Sequence, residues 1–127
     1  MSKIIDWEQA QPVWEAAANV IAAWAFGSAQ DGHVRSGGDV DIGILFEAAP
    51  SLDELTGLLA RLQNAFQIED IDLVPLNEAN PILRFEAVSG RPLFCRDPGR
   101  RAEFVSLTAR EYEDEMAFLE RSMANRR

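Results

Sequence analysis

The chain has 127 residues, 47% of them hydrophobic, a formal net charge of −9 and one cysteine. That length suits a single domain with a real core, Cys95 has no partner for an intrachain disulfide, and no apolar run is long enough to cross a bilayer. Residues 1–80 carry Lys3, Arg35 and Arg61 against thirteen acids, and residues 81–127 carry nine arginines against eight acids, so the basic footprint of a direct nucleic-acid binder is missing from the first two thirds of the chain.

Met1–Asp6 lacks a signal-peptide pattern, which with the lone cysteine predicts a cytoplasmic protein. Residues 7 to about 19 predict a helix, with Trp7, Ala10, Trp14, Ala17 and Ala18 at helical spacing. Val20 to Phe26 is wholly apolar and reads as a buried strand ending at Gly27, although its alanines also allow a continued helix. Asp31 to Gly38, with three glycines, reads as a loop. Val40, Ile42, Ile44 and Phe46 alternate with Asp39, Asp41, Gly43 and Leu45, a strand period that puts both aspartates on one face. Ser51 and Glu54 form a capping box, and Leu52, Leu55, Leu59, Leu62 and Phe66 line one face of the helix that follows. Ile71 to Leu76 reads as a strand, residues 81 to about 88 as a short helix behind Asn80, and Pro92 to Arg96 as an edge strand, where proline is tolerated. Asp97-Pro98-Gly99 reads as a turn, and the rest of the chain to about Ala124 as helix, with Phe104, Thr108, Tyr112, Met116, Leu119 and Met123 on one face.

The strand at 39–47, the helix at 51–66 and the strand at 71–76 make a crossover unit, so those strands pair in parallel. Asp39 and Asp41 open the first strand and Asp72 the second, which places all three at one end of the sheet. Gly27-Ser28 reaches that end if the preceding strand runs antiparallel. The expected fold is therefore α/β, with a small mixed sheet of three to four strands flanked by helices. One domain spans residues 1–127, with a core over about 7–96 and a helical C-terminal extension over about 98–124.

Three acids in segments that read as buried strand require a partner, and no Lys or Arg falls between Arg35 and Arg61. Hard divalent cations take carboxylate, phosphate and water oxygens, so Asp39, Asp41 and Asp72 are the candidate metal ligands. Gly27 would let a phosphate approach the backbone and Ser28 adds a hydroxyl. The combination suits phosphoryl transfer, which needs positioning and charge neutralisation. Simpler readings apply to the other conspicuous side chains: His33 as a solvated loop residue, Cys95 as packed in its strand, Tyr112 as part of a helical face, Trp7, Trp14 and Trp24 as core, Glu111–Glu115 as a solvated helix face. The arginines of residues 84 to 127 are expected to include partner contacts.

Gly27-Ser28, ten intervening residues, Asp39-Val40-Asp41 and the later strand residue Asp72 resemble the nucleotidyltransferase superfamily of the DNA polymerase β type. Asp72-Leu-Val-Pro-Leu-Asn77, Pro92-Leu-Phe94 and Arg110-Glu-Tyr-Glu-Asp114 resemble its minimal members, the MNT-domain antitoxins that pair with HEPN-domain toxins. The resemblance implies a polymerase β-like fold, with Gly27 and Ser28 on the triphosphate of ATP and Asp39 and Asp41 on two Mg²⁺ ions. Asp72 would bind the catalytic ion and help take the acceptor's proton. It implies transfer of AMP to a tyrosine of a HEPN-type ribonuclease toxin, held in a hetero-oligomer. Two positions depart from the pattern: Asp31 stands where an arginine is frequent, and Gly38 where a serine is common. They leave room for an antitoxin that neutralises by binding alone. Nucleotidylation of a small polycation such as an aminoglycoside is a third reading, though the chain is short for a second, acceptor-binding domain.

Overall fold

The computed structural model describes residues 3–125. In chain order the elements are β1 (Lys3–Ile4), a 3-10 turn (Trp7–Ala10), α1 (Gln11–Ala16), β2 (Val20–Phe26), a 3-10 turn (Gly27–Ala29), β3 (His33–Val34) and β4 (Val40–Phe46). There follow α2 (Leu52–Phe66), β5 (Ile71–Pro75), α3 (Pro81–Val88), β6 (Arg91–Cys95) and α4 (Pro98–Ala124).

β2 and β4 are apolar toward both faces, and both occupy the middle of a four-stranded sheet of order β5-β4-β2-β6. Every residue of β2 is buried, as is every residue of β4 except Asp41. β2 runs antiparallel to β4 and β6, while β4 and β5 are parallel and joined across α2. One face of the sheet packs Ile42, Ile44 and Phe46 against Trp14, Leu58, Leu62 and Phe66 of the two N-terminal helices. The other face packs Trp24, Phe26 and Leu45 against Leu76, Ala87 and the partly buried Phe104 and Val105.

That second layer sits unusually close to the strands. A Cβ on Gly43 would stand 3.0 Å from the Ala87 Cβ, and one on Gly90 would stand 2.2 Å from the Ala25 carbonyl oxygen. α3 and the turn after it thus rest directly on backbone. Asn77 extends the sheet with its side chain: the Phe46 amide donates to its Oδ1 at 2.9 Å, and its Nδ2 donates to the Phe46 carbonyl at 2.7 Å.

Several expectations need correction. The first helix begins as a 3-10 turn and stops at Ala16, because Arg96 binds the carbonyls there: its Nη2 donates to Trp14 and Ala17, at 2.8 and 3.2 Å, and its Nε to Val20 at 3.0 Å. The loop at 31–38 contains β3, which pairs antiparallel with β1 in a separate two-stranded sheet. Ser51 does accept from the Glu54 amide, but the Glu54 carboxylate accepts from Asn19 rather than closing the box. Leu52 is 75% exposed at the first position of α2, and Leu58 takes the buried place instead. α4 already begins at Pro98, capped by Asp97, where the sequence predicts a turn; its predicted face is buried at Thr108, whereas Leu119 and Met123 stand exposed. Arg84 also works inside the molecule, donating to the Leu76 and Asn77 carbonyls and pairing with Glu111.

Candidate active site

Backbone register decides what meets at the end of the sheet. Antiparallel pairing sets Phe26 opposite Asp41, and parallel pairing sets Asp41 opposite Asp72. Asp39, two residues before Asp41, lies on the same side of the chain. Gly27 follows Phe26 and opens the 3-10 turn Gly27–Ala29, whose first amides have no partner within the turn itself. Gly27, Ser28, Asp39, Asp41 and Asp72 therefore gather at one end of β2, β4 and β5, on the face covered by α3 and α4.

Gly27 has φ +76°, a left-handed conformation that favours glycine, and a Cβ placed there would lie 2.4 Å from Asp41 Oδ2. The Asp41 carboxylate thus leans on bare backbone. Its carboxyl is pushed above the usual carboxylate range by burial first, then by the charges of Asp72, Asp39 and Glu86. Glu86, on α3, is a fourth acid at this end, and sequence periodicity gave no sign of it because only the docking of α3 brings it near.

The premise of three buried carboxylates is overturned. Asp41 is half-buried, but Asp39, Asp72 and Ser28 are exposed. Asp72 opens an edge strand, so nothing covers it from the outside. The ion pairs among the described residues, Arg84–Glu111 and Arg100–Glu47, lie elsewhere. Among the described residues, no three acidic, His or Cys side chains already converge tightly enough to hold a metal ion by themselves. The donors nevertheless fit a hard cation in kind: all are carboxylate oxygens, and their mutual repulsion on Asp41 is what a cation would relieve.

Both departures have local structural causes. Asp31 accepts from the His33 amide at 2.9 Å, and this bond, ahead of the nearby His33 and Arg35 charges, holds its carboxyl below the usual range. At Gly38 a Cβ would sit 3.1 Å from the Arg35 carbonyl oxygen, so a serine would crowd that turn.

Beside Gly27 a cavity of about 490 Å³ opens between the sheet end and the helical layer, lined also by Gln30, Phe85, Glu86, Ser89 and Tyr112. Phe85 and Tyr112 stack with ring centroids 4.0 Å apart and planes 9° from parallel. Tyr112 does belong to the packed face of α4, as its spacing predicts, but it also walls this cavity.

Residues 8–99 match the family described as Polymerase beta, Nucleotidyltransferase. A search of curated proteins found no match. Among solved structures, the chain is similar to a toxin–antitoxin complex with AMP-PNP, at TM-score 0.78 and 20% identity over 95% of this chain and 98% of that one. It is also similar to a structure of the tri-AMPylated Shewanella oneidensis HEPN toxin in complex with MNT antitoxin, at TM-score 0.71 and 19% identity over 94% of this chain and 93% of that one. At these identities the likeness establishes a common fold.

Proposed function

The chain belongs to the polymerase β-type nucleotidyltransferase family, and from that premise we propose that it is a Mg²⁺-dependent antitoxin that transfers AMP from ATP to a tyrosine of a HEPN-type toxin. The observation that carries this reading is the row formed by Phe26, Asp41 and Asp72 across three strands, with the Asp41 carboxylate packed against the left-handed Gly27 that follows Phe26. The toxin partner and the adenylyl group are suggested by the complexes of similar fold, one containing an AMPylated HEPN toxin.

In this reading Gly27 and Ser28 hold the triphosphate, the glycine by bringing backbone N–H groups to it and the serine by its hydroxyl. Asp39, Asp41 and Asp72 would hold two Mg²⁺ ions. When bound, such ions neutralise phosphate charge and fix the attacking and leaving oxygens of an in-line displacement. The acceptor oxygen bonds to the α-phosphorus as the bond from that phosphorus to its bridging oxygen breaks. Pyrophosphate leaves, and the hydroxyl proton passes to the Asp72 carboxylate, which is exposed and open to an incoming side chain. Asp41, wedged between Gly27 and its like-charged neighbours, sets the spacing between triphosphate and acids.

The test is the intact mass of the native partner, taken before and after ATP and Mg²⁺ are added with this chain. An AMP-sized gain that disappears with Asp39→Asn and with Asp41→Asn supports the reading. Neutralisation without covalent change, indifferent to both substitutions, rejects it. One observation favours neutralisation by binding as a second reading: Phe118 and Met123 leave an exposed apolar surface on the last turns of α4. Under that reading, truncation after Arg110 abolishes neutralisation while Asp39→Asn preserves it.

A further inference from the structure

We infer that the outer edge of β5 is the docking strand for the protein acceptor: an extended segment of the partner adds alongside β5 and sets its hydroxyl-bearing residue opposite Asp72. The inference rests on the reading of Asp72 as the group that takes the acceptor's proton, and deepens it. β5 closes the sheet order β5-β4-β2-β6 on one side, and among the described residues no strand pairs with its outer side. The backbone hydrogen bonds define what that side offers. The Val40 amide donates to the Asp70 carbonyl and the Leu76 amide to the Ile44 carbonyl, both at 2.9 Å. Between those bonds a parallel ladder alternates, so Asp72 and Val74 turn their backbone groups to β4, while Ile71, Leu73 and Pro75 turn theirs outward. The Ile71 amide is taken by the Glu69 carbonyl at 2.9 Å, and proline has no N–H. The Leu73 amide is therefore the open donor of this edge, flanked by the outward carbonyls of Ile71 and Leu73.

The two faces of β5 differ in chemistry. Ile71 and Leu73 lie on the α2 face, whereas Asp72 and Val74 lie on the opposite face, in register with Asp41 and Gly43. Between α2 and the edge runs a groove of about 200 Å³ lined by Leu55, Thr56, Leu59, Ile71, Asp72 and Leu73. An added strand has period two. With one residue opposite Asp72 on the site face, its sequence neighbours point to the α2 face, where the groove accepts an aliphatic side chain. Main-chain pairing gives such additions their affinity, and the pockets for alternate side chains give specificity. Groove and reactive carboxylate share Asp72, so a segment seated in one is delivered to the other. Charge disfavours the rival occupant, a second copy of this chain. Glu69, Asp70 and Asp72 are exposed, and the ion pairs among the described residues involve none of them. Two β5 edges would bring like charges together, whereas a basic acceptor segment would be drawn in. Pro75 keeps the pairing short, which suits a substrate that must leave after reaction.

The test uses the full chain with its native partner protein, ATP and Mg²⁺. Intact mass reads adenylyl transfer, and hydrogen exchange on ¹⁵N-labelled chain reads the Leu73 amide. Exchange at Leu73 should slow by about tenfold or more when the unlabelled partner is bound. Leu73→Pro removes the edge donor and leaves the ladder to β4, as Pro75 already does two residues on. Thr56→Trp fills the groove from its exposed rim. Each should raise the KM for the partner about fivefold to tenfold, the size of one lost hydrogen bond, with kcat and ATP affinity unchanged. Should Leu73→Pro fail to fold, Thr56→Trp and the exchange measurement decide. A wild-type KM in the folded variants, or a Leu73 amide that exchanges as freely in the complex as outside it, overturns the docking edge and leaves the chemical role of Asp72 standing. Slowing that grows with chain concentration in the absence of the partner assigns the edge to a second copy and likewise overturns it. If the wild-type chain transfers no AMP, the reading of Asp72 fails and the docking edge falls with it.

Discussion

Packing of the Asp41 carboxylate on Gly27 can be measured as a coupling energy. Gly27→Ala puts a residue with a Cβ at φ +76°, which costs about 1 kcal/mol. The new Cβ would also lie 2.4 Å from Asp41 Oδ2, so the carboxylate has to leave its rotamer, at roughly another 1 kcal/mol. The single variant should therefore lose about 2 kcal/mol. In an Asp41→Ala background the obstructing oxygen is gone, and the nearest remaining atom of that side chain, Cβ, stands at an ordinary 3.7 Å. There Gly27→Ala should cost only the backbone share, about 1 kcal/mol. Urea unfolding followed by tryptophan fluorescence, with Trp14 and Trp24 buried as reporters, gives all four corners of the cycle. The expected coupling is about 1 kcal/mol, with Gly27→Ala less harmful when Asp41 is absent. A coupling below about 0.3 kcal/mol, within the scatter of independent sites, would refute the contact and with it the mutual positioning of the two residues.

Asp41→Asn should melt above the wild type at neutral pH. The folded carboxyl titrates above its unfolded counterpart, so its ionised form disfavours the native state at high pH, and that penalty fades as pH falls through the raised folded value. Thermal scans from pH 7 down toward about pH 4 should show the two proteins converging; a gap that widens on acidification contradicts the assignment. Asn77→Ala strips both partners from the Phe46 backbone and should cost about 2–3 kcal/mol, read as a lowered urea midpoint at unchanged m-value. A loss under about 0.5 kcal/mol, the level of an ordinary surface substitution, would mean that water replaces the amide freely.

Strand period and crossover logic made the central sheet legible from sequence. Val40 to Phe46 alternates cleanly around two aspartates, and the parallel pairing of β4 with β5 follows from the helix between them. What escaped depends on contacts distant along the chain. α1 stops at Ala16 although Ala17 and Ala18 are good helix formers, because Arg96 arrives from β6 to take the carbonyls. β1 and β3 are two-residue strands paired with each other in a separate sheet, too short to leave a pattern. At the site, the aspartates were found by their rarity in apolar runs, yet the inferred burial was wrong for Asp39, which lies just before β4 begins at Val40, and for Asp72, whose edge position cannot be read from one strand. Glu86, Phe85 and Tyr112 carry no local signal for the cavity. Their helical spacing is ordinary, and only the seating of α3 on the sheet, with α4 packed against it, brings them beside Gly27.

That seating depends on two missing methyl groups. Gly43 and Gly90 hold α3 against β4 and β2 at backbone distance, and so fix the gap between the acidic row and the aromatic wall. A single added carbon at either glycine would lift the wall like a shim under a hinge plate, while every reactive side chain kept its identity. Displacements on the order of 1 Å can change rates about a hundredfold. Relatives of this fold could therefore drift in turnover through residues that never touch a ligand, and a survey confined to acids and phosphates would miss the cause.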